Sequence, residues 1–378
     1  MQCIYCQSFD LELINSFAEL RTISSDAKPW RKGFVMARCR ACLFPQAGVT
    51  SEWKASASEI YSAYTTYFQT SDFDQTVFIE GATTLRGDLF VDSVLRICRT
   101  KLGAHVLDFG CGAGNLLRSF SNSRADFNLF GYDLDDRELK NLNAVKNFKK
   151  LFVGELNTNL KFDLISMSHT LEHITNPKET LRQLRGLLSP EGYLVIAVPD
   201  CSLDPFKLLI ADHCSHFSVK TLGSFLMDAG FEVVEIKSRL ETRECWAICR
   251  PGNFEHNEIL SIDDTTWLPE SVEWINLVRD HAKSFSNKGS FGVFGTSINA
   301  IWLFGELELD VDFFVDEDVS RQHTKLFGRP VVSPEEVVEG SVVYLPFVPA
   351  LASKIASRLI REGISWVVPP NAKMFIAN

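Results

Sequence analysis

Short apolar runs alternate with amphipathic stretches through the middle of the chain. Residues 105–110, HVLDFG, form an apolar run that ends at a glycine, and the next residues, GCGAGNLLRSF, pass into a helical pattern. Further apolar runs of strand length follow: NLFGYDLD, FDLISMS and YLVIAVPD, the last preceded by a helical stretch that ends in LLSPEG. Because strands alternate with helices, the pattern predicts an α/β fold with a central, Rossmann-like, doubly wound parallel sheet that binds its ligand at the carboxyl ends of the strands.

The same pattern starts again near residue 285. The stretch SFGVFGTSINAIWLFGELEL predicts a strand, a glycine turn at residues 295–299 and a helix. VDFFVDED then predicts a second strand that ends at Asp316, and SVVYLP predicts a third. The carboxyl-terminal part is therefore expected to be a second, smaller, Rossmann-like α/β domain.

Length and pattern together predict three structural units and a connecting segment. A chain of 378 residues, at roughly 150 residues per domain, corresponds to about 2.5 domains. The predicted boundaries are a small amino-terminal module at 1–54, a central domain at 55–250, a linker and helix at 251–284, and the carboxyl-terminal domain at 285–378. Within the central domain, residues 55–100 are expected to form a helical lead-in.

Composition narrows the class of protein. The chain is 46% hydrophobic and 23% charged, which is typical of a soluble globular protein. Lys and Arg number 38 against 48 Asp and Glu, and the net charge of −10 opposes nucleic acid as the main partner, because phosphate contacts need clustered basic side chains. The apolar runs are far shorter than the roughly 20 residues that span a bilayer, and the amino terminus lacks a basic region followed by an apolar one. We therefore expect a cytoplasmic protein without a membrane contact, present as a monomer or homodimer.

Ten cysteines are present, and four of them form two C-x-x-C pairs. Cys3 and Cys6 are separated from Cys39 and Cys42 by 32 residues. Each pair offers two thiolates from one tight turn, and four thiolates close a tetrahedral zinc site with no open position, so a structural zinc is expected. The alternatives are two unrelated pairs, or a redox C-x-x-C, which is expected near a strand-to-helix junction rather than at residue 3. The other cysteines show no such pairing and are expected to be small buried hydrophobic residues: Cys98, Cys111, Cys201, Cys214, Cys245 and Cys249.

Three glycines separate the first central strand from its helix. Gly110, Gly112 and Gly114 allow positive φ and close approach of a ligand, while the start of the helix offers unpaired N–H groups. Asp133 lies 19 residues beyond Gly114 at the end of the next predicted strand, where a carboxylate can accept from both hydroxyls of a ribose. The spacing predicts a cofactor that contains a ribose.

The segments VLDFGCGAG, GYD, FDLI and LLSPEGYLVI resemble the class I S-adenosylmethionine-dependent methyltransferases. The D-x-G-x-G-x-G form of the glycine loop is typical of that family rather than of dinucleotide-binding dehydrogenases. The resemblance implies that Asp108 and residues 110–114, which include Cys111, line the methionine end of S-adenosylmethionine, and that Asp133 holds its ribose. If the loops after the strands hold no catalytic residues, the alternative is a Rossmann domain without catalytic activity.

Histidines cluster in two loops that are expected at the strand ends. His169 and His173 lie in SHTLEHITNP, and His213 and His216 lie in ADHCSHFS. A methyltransferase aligns its acceptor and, where the acceptor is a weak nucleophile, removes a proton, and histidine suits that step because its pKa is near neutral pH. We expect His213 to be the base and Asp212 to orient or polarise it, with His173 facing the substrate; the alternatives are capping or core histidines.

The order of domains gives a narrower resemblance. An amino-terminal four-cysteine zinc module, a central methyltransferase, a loop of the form H/D-x-H-x-S-x-F-S and a third α/β domain resemble the C-methyltransferases of nucleotide-linked deoxysugars. The resemblance implies that the loop at residues 210–218 carries the catalytic His213 with the acidic Asp212. Ile210 and Ala211 depart from the Tyr and His of the family loop. The match implies a nucleotide-linked sugar as the small-molecule substrate.

Aromatic residues before the central domain resemble a stretch that packs over the cofactor in the same family: Tyr64, Tyr67 and Phe68. Of these, Tyr67 is expected to contact S-adenosylmethionine, since ring faces attract a sulfonium cation. The alternative is an aromatic stripe on the core. In the carboxyl-terminal domain the resemblance implies a nucleotide-sugar site at residues 295–299, but this turn lacks a basic residue, so a purely structural domain is the alternative.

These observations favour methyl transfer to carbon next to a keto group of a nucleotide-linked sugar, with His213 as the base. O- or N-methylation of a sugar or a small natural product is the nearest alternative, because the same histidine could deprotonate a hydroxyl. An RNA methyltransferase and a non-catalytic scaffold are further alternatives.

Overall fold

The computed structural model describes residues 1–63, 76–79, 82–252, 265–372 and 375. The amino-terminal module contains an antiparallel sheet in the order β1-β2-β3. Its elements are β1 Leu11–Leu13, β2 Met36–Cys39 and β3 Pro45–Ala47, followed by helix α1 Ser51–Ser62. Helix α1 begins after Thr50 because the Thr50 side chain accepts a hydrogen bond from the Trp53 N–H group, which caps the first turn.

The central domain begins with a short β-hairpin. Its elements are β4 Thr76–Ile79, β5 Ala82–Leu85, α2 Arg86–Ile97, β6 His105–Phe109, α3 Asn115–Ser123, β7 Asn128–Asp133, α4 Leu139–Asn143, β8 Phe148–Val153, β9 Phe162–Ser168, α5 Pro177–Leu187, β10 Leu188–Pro199, α6 Val219–Asp228, β11 Phe231–Arg239 and β12 Glu244–Pro251.

Among the described residues, seven strands form the central sheet in the order β11-β12-β10-β9-β6-β7-β8. Strands β6 to β10 are parallel, and β12 joins β10 and β11 by antiparallel pairing. The chain runs outward from β6 to β8 and then returns to place β9 on the other side of β6. The order of the strands therefore reverses between β6 and β9, which is where doubly wound sheets bind their ligands.

The predicted parallel α/β fold is confirmed, although several elements differ from the prediction. Strands β8, β11 and β12 were not predicted, and the lead-in contains the β4–β5 hairpin as well as helices. The predicted helix through LLSPEG ends at Leu187, because Leu188 already pairs with Phe162 of β9 and a bulge before Tyr193 carries the intervening residues. The six unpaired cysteines are buried, as expected.

The carboxyl-terminal domain is a second sheet with parallel strands at its centre. Its elements, which follow helix α7 Trp267–Lys283, are β13 Phe291–Phe294, α8 Ile298–Leu307, β14 Phe313–Val315, β15 Lys325–Leu326, β16 Arg329–Val332, β17 Val342–Tyr344, α9 Pro349–Arg358 and β18 Ser365–Val367. The described strands are ordered β15-β16-β14-β13-β17-β18, and only β15 is antiparallel to its neighbour. The order reverses between β13 and β17. The domain boundaries given above remain a prediction.

Aromatic side chains join the three units. Phe206, in the segment after β10, packs against Trp274 of α7 and Trp302 of α8 with ring centroids 5.3 and 5.4 Å apart. Phe44 of the amino-terminal module packs against Phe225 of α6 at 5.7 Å. The described residues contain no helix that is long and apolar enough to cross a membrane.

Candidate active site

The glycine loop leaves β6 at the point where the order of the strands reverses. Gly110, Gly112 and Gly114 all have positive φ, at 82°, 46° and 81°. A Cβ atom at Gly110 would lie 2.3 Å from the Thr170 hydroxyl, so the approach of the loop after β9 requires a glycine there. A Cβ atom at Gly112 would meet nothing within 4 Å, so space for a ligand is open above this residue.

Asp133 ends β7 and closes one side of the glycine loop. Its carboxylate accepts hydrogen bonds from the N–H groups of Gly112 at 2.8 Å and Leu134 at 2.7 Å. Burial raises the pKa of Asp133 above its ordinary value. The Leu134 side chain is 64% exposed beside it and offers an apolar surface to a ring. The two cofactor features that the sequence predicts are therefore in contact.

Asp108 and Cys111 lie below the loop rather than on its surface. Asp108 is buried and accepts a hydrogen bond from the Ser166 hydroxyl at 2.8 Å, and burial raises its pKa to about 7. The Cys111 side chain packs in the core near Gly131 of β7. Only backbone atoms of Cys111 therefore face the open side of the loop. Tyr67, with Tyr64 and Phe68, lies outside the described residues.

A cavity of about 410 Å³ lies at the carboxyl ends of β6, β7 and β8. Phe109 and Tyr132 stack on one side of it, with ring centroids 4.2 Å apart. The remaining lining residues follow β8 or belong to α5: Gly154, Glu155, Leu156, Asn157, Thr180 and Gln183. The cavity is beside Asp133 and is large enough for a small molecule.

The Asp212 carboxylate pairs with His173, which differs from the expected pairing with His213. Asp212 is fully buried and accepts hydrogen bonds from the Ser25 N–H group at 2.9 Å and the Ser25 hydroxyl at 2.6 Å. Nδ1 of His173 lies 3.3 Å from Asp212 Oδ2 and 2.9 Å from the Tyr61 hydroxyl. Burial works to raise the pKa of Asp212, yet His173 and Ser25 outweigh it and lower that pKa.

His213 lies edge-on to His173, with ring centroids 4.5 Å apart. It is 3% exposed, and burial followed by the neighbouring histidines lowers its pKa well below the ordinary value. His213 also lines a small internal gap, and His216 lines the same gap. His216 is buried, with Nδ1 4.0 Å from the Cys201 sulfur, and makes no contact with the Asp212–His173 pair that the structure records. Although Asp212 and His213 are adjacent in sequence, their side chains therefore contact His173 in different ways and do not form the expected pair.

Two further acidic residues complete the site, and sequence reasoning did not single out either. Glu244, at the start of β12, contacts His169 and the Arg86 guanidinium. Glu172 is fully buried between His169 and His173. One oxygen of Glu172 lies 3.3 Å from His169 Nδ1. Glu172 could have been found from the sequence, because it lies between two histidines of one loop. Glu244 could not, because it begins a strand that was not predicted.

The four paired cysteines meet in the amino-terminal module. The Cys3 and Cys42 sulfurs are 3.6 Å apart, and those of Cys6 and Cys39 are 3.5 Å apart. Four thiolates at 2.3 Å from a zinc ion have sulfur-to-sulfur distances of about 3.8 Å in a tetrahedron. The cluster therefore fits zinc, and its three buried members leave no position open to a substrate.

The glycine turn of the carboxyl-terminal domain gains basic neighbours from other loops. The Thr296 hydroxyl donates to Asp316 at 2.7 Å, and the Arg321 guanidinium donates to Thr296 at 2.6 Å. Phe347, which follows β17, approaches Gly295 and lies 6.0 Å from the Arg243 guanidinium of the central domain. The turn itself lacks a cation, as its sequence indicates. Arg321 reaches it but is paired with Asp316 and Asp318, and Arg243 is paired with Asp204.

The central part of the chain is similar to known methyltransferases. Residues 84–236 match the model of a methyltransferase domain. The ubiquinone biosynthesis O-methyltransferase of Haemophilus ducreyi is 25% identical over 119 residues, which cover 29% of this chain and 50% of that protein. That of Nitrosospira multiformis is 27% identical over 159 residues, which cover 35% and 65%. The chain thus spans about half to two-thirds of the length of these curated relatives.

Solved methyltransferase structures align with part of the chain. An S-adenosylmethionine-dependent methyltransferase from Clostridium acetobutylicum aligns with a TM-score of 0.37 and 13% identity, covering 53% of this chain and 98% of its own. One from Aquifex aeolicus aligns with a TM-score of 0.36 and 20% identity, covering 51% and 97%.

Cys39→Ser is expected to release zinc and unfold residues 1 to about 45, because metal binding and folding of such a module are one event. Metal analysis of protein purified without added zinc should show about one zinc fewer per chain than in the wild type. Cys201→Ser, which changes a buried thiol outside the cluster, is the matched control and should keep the metal. Full zinc content in Cys39→Ser would show that the ligand set is wrong.

Proposed function

We propose that this chain, whose residues 84–236 belong to the class I S-adenosylmethionine-dependent methyltransferases, transfers a methyl group to a small-molecule acceptor. One observation carries the proposal: the glycine loop with Asp133 and the histidine–carboxylate cluster follow adjacent strands, β6, β7 and β9, at one edge of the sheet. The first group suits a nucleoside cofactor, and the second suits removal of a proton from an acceptor.

On the cofactor side, the residues of the chain bind and orient. Asp133 accepts hydrogen bonds from the two ribose hydroxyls, Leu134 covers one face of the adenine, and the space above Gly112 admits the methionine end. Asp108 supplies negative charge beneath that end. S-adenosylmethionine, when bound, supplies a methyl group on a sulfonium. The acceptor atom attacks the methyl carbon in line, and the sulfur–methyl bond breaks with its electron pair left on sulfur, which leaves S-adenosylhomocysteine.

On the acceptor side, the proposal assigns the proton transfer to His173 and His213, and Asp212 holds His173. Because Nδ1 of His173 is turned to Asp212, Nε2 is the nitrogen free to take a proton from the acceptor. His213 contributes a second imidazole edge-on to the first. The pair removes the acceptor proton as the acceptor atom forms its bond to the methyl carbon.

For the acceptor itself we favour a nucleotide-linked sugar that is methylated at carbon next to a keto group. The choice rests on the resemblance in domain order and in the loop at residues 210–218. In the carboxyl-terminal domain the N–H groups at the start of α8 are the ones that would meet a phosphate, because Arg321 and Arg243 are already paired with carboxylates. O-methylation is the second candidate, because the similar curated proteins are named as ubiquinone biosynthesis O-methyltransferases. A panel of nucleotide sugars with and without a 4-keto group, together with catechol-type acceptors, analysed by mass spectrometry and NMR for the new methyl, separates the two.

Asp133→Ala is expected to weaken S-adenosylmethionine binding by roughly 1.5 to 3 kcal/mol, the range for losing hydrogen bonds to a charged group. Isothermal titration calorimetry measures the change. Asp135→Ala is the matched control, because Asp135 pairs with Arg137 two residues further along and should leave the affinity near wild type. Equal affinities of Asp133→Ala and the wild type would remove the ribose assignment.

The affinity for S-adenosylmethionine is expected to rise with pH between about 6 and 8. In the free protein the pKa of Asp108 is raised to about 7, so the carboxyl is largely neutral below that pH and attracts the cationic cofactor only above it. The same raised pKa means that this group contributes less stability as pH increases from about 4 through 7. Calorimetry at pH 6, 7 and 8 should give a steeper increase for the wild type than for Asp108→Asn. Parallel slopes for the two proteins would contradict the role of Asp108.

Loss of the proton-accepting histidine is expected to lower turnover by roughly 100- to 10,000-fold while cofactor affinity stays near wild type. His173→Asn and His213→Asn, measured separately with the acceptor found by the panel, identify which imidazole takes the proton. Asp212→Asn should cost less, because Asp212 orients His173. Unchanged turnover in both histidine variants would exclude this cluster from the reaction.

A further inference from the structure

Glu172 is a buried carboxylate whose two oxygens have no hydrogen-bond partner among the described residues. Its side chain is 0% exposed, at the short 3-10 turn Leu171–His173 that follows β9. A charged carboxylate without hydrogen bonds is costly to bury, so native structures provide such groups with a counter-ion or a metal. His169 Nδ1, at 3.3 Å, is near only one of the two oxygens.

Two histidines bring ring nitrogens to the same place. One ligand atom from each of Glu172, His173 and His213 lies within 4.8 Å of the others. The two histidines come from different loops, so the tertiary fold rather than local sequence assembles this group. A carboxylate with two imidazoles is the ligand set of catalytic zinc sites, which keep at least one coordination position open.

The partners of His173 favour the same conclusion. Metal-binding histidines usually present one ring nitrogen to the ion and the other to a carboxylate or carbonyl group. Nδ1 of His173 faces Asp212, at 3.3 Å from the carboxylate and 3.2 Å from the main-chain carbonyl. Nε2 is therefore the ring nitrogen left for coordination, and Ser25 in turn fixes Asp212 by two hydrogen bonds.

We propose that Glu172, His173 and His213 bind a divalent transition-metal cation such as zinc, and that its open position holds a carbonyl or hydroxyl oxygen of the acceptor. The site differs from the cysteine cluster, which four thiolates close. The acceptor-binding part rests on the proposed function, because it assumes that an acceptor enters beside His173. It also replaces the histidine base of that function: with both imidazoles on the cation, the cation lowers the pKa of the acceptor oxygen and the proton passes to water. Metal binding itself does not depend on methyl transfer and is measured without any acceptor.

Cobalt titration tests the site directly. Protein with a filled cysteine cluster is dialysed against EDTA, which strips an open site before a closed thiolate site, and is then titrated with Co²⁺ while visible absorption is recorded. The wild type is expected to bind about one Co²⁺ per chain without a thiolate-to-cobalt charge-transfer band. Glu172→Gln is expected to weaken binding by about 100-fold, because loss even of a group that orients a metal ligand costs about 10- to 100-fold.

His216→Asn is the matched control, because His216 is equally buried on the same loop but lies outside the ligand set. It should bind Co²⁺ as the wild type does. Far-UV circular dichroism and S-adenosylmethionine binding show whether each variant is folded. A folded Glu172→Gln protein that binds Co²⁺ like the wild type overturns the proposal, as does the absence of binding in the wild type or a thiolate-to-cobalt band.

Methylation assays separate this inference from the proposed function. Cobalt binding at the predicted ligands with no methylation of any acceptor in the panel supports the metal site and counts against the proposed function. Methylation at an unchanged rate by EDTA-treated protein, which keeps only the zinc of the cysteine cluster, overturns the acceptor-binding part and leaves the proposed function with its histidine base standing. Methylation that falls at least about 10-fold after EDTA and returns with added zinc supports methyl transfer together with the metal site, and shows that the cation rather than a free imidazole acts on the acceptor.

Discussion

The loop that carries Asp212 and His213 is held between the amino-terminal module and the segments that follow β9 and β10, where Cys214 and Ser215 donate to the Glu172 carbonyl. Main-chain hydrogen bonds run from Ile23 to Leu209 at 2.9 Å and from Ala211 to Ile23 at 2.7 Å. The indole N–H of Trp53 donates to the Ala211 carbonyl at 2.9 Å. A loop on its own pays conformational entropy for each ordered residue, so these bonds determine where the acceptor-side groups lie.

The amino-terminal module depends in turn on its cysteine cluster. Cys39 ends β2 and Cys42 lies in the turn to β3, and β3 residues pair with the histidine loop: Ala47 N–H donates to Cys214, and His216 N–H donates to Pro45. Phe44 of the same turn is fully buried against α6. A zinc ion bound by the four cysteines would fix this turn and, through these hydrogen bonds, the position of the histidine loop. A metal without an open position would then contribute to the shape of the candidate active site.

The cofactor half of the site could be predicted because local sequence encodes it. Three glycines, a strand before them and Asp133 at the end of the next strand are enough, since parallel neighbouring strands must end at the same edge. The acceptor half could not be predicted in the same way. The contact of Ser25 with Asp212 joins residues 187 positions apart, and the pairing of Asp212 with His173 rather than His213 depends on that contact. The sequence does not single out Glu172, because only the structure shows that its carboxylate is buried without a hydrogen-bond partner among the described residues.

The two halves also rest on different parts of the protein. The glycine loop and Asp133 belong to one rigid parallel sheet and hold each other through the Gly112 hydrogen bond. The acceptor groups lie where β9, the histidine loop and the amino-terminal module meet, and the segment after β10 that leads into this loop is packed by Phe206 against the carboxyl-terminal domain. Under the proposed function, changes in the outer modules would therefore act on turnover and acceptor choice, whereas binding of the cofactor would depend on the sheet. Because the acceptor groups and the cofactor loop rest on different elements, α/β proteins of this kind can differ in the reaction they catalyse while the cofactor loop stays the same.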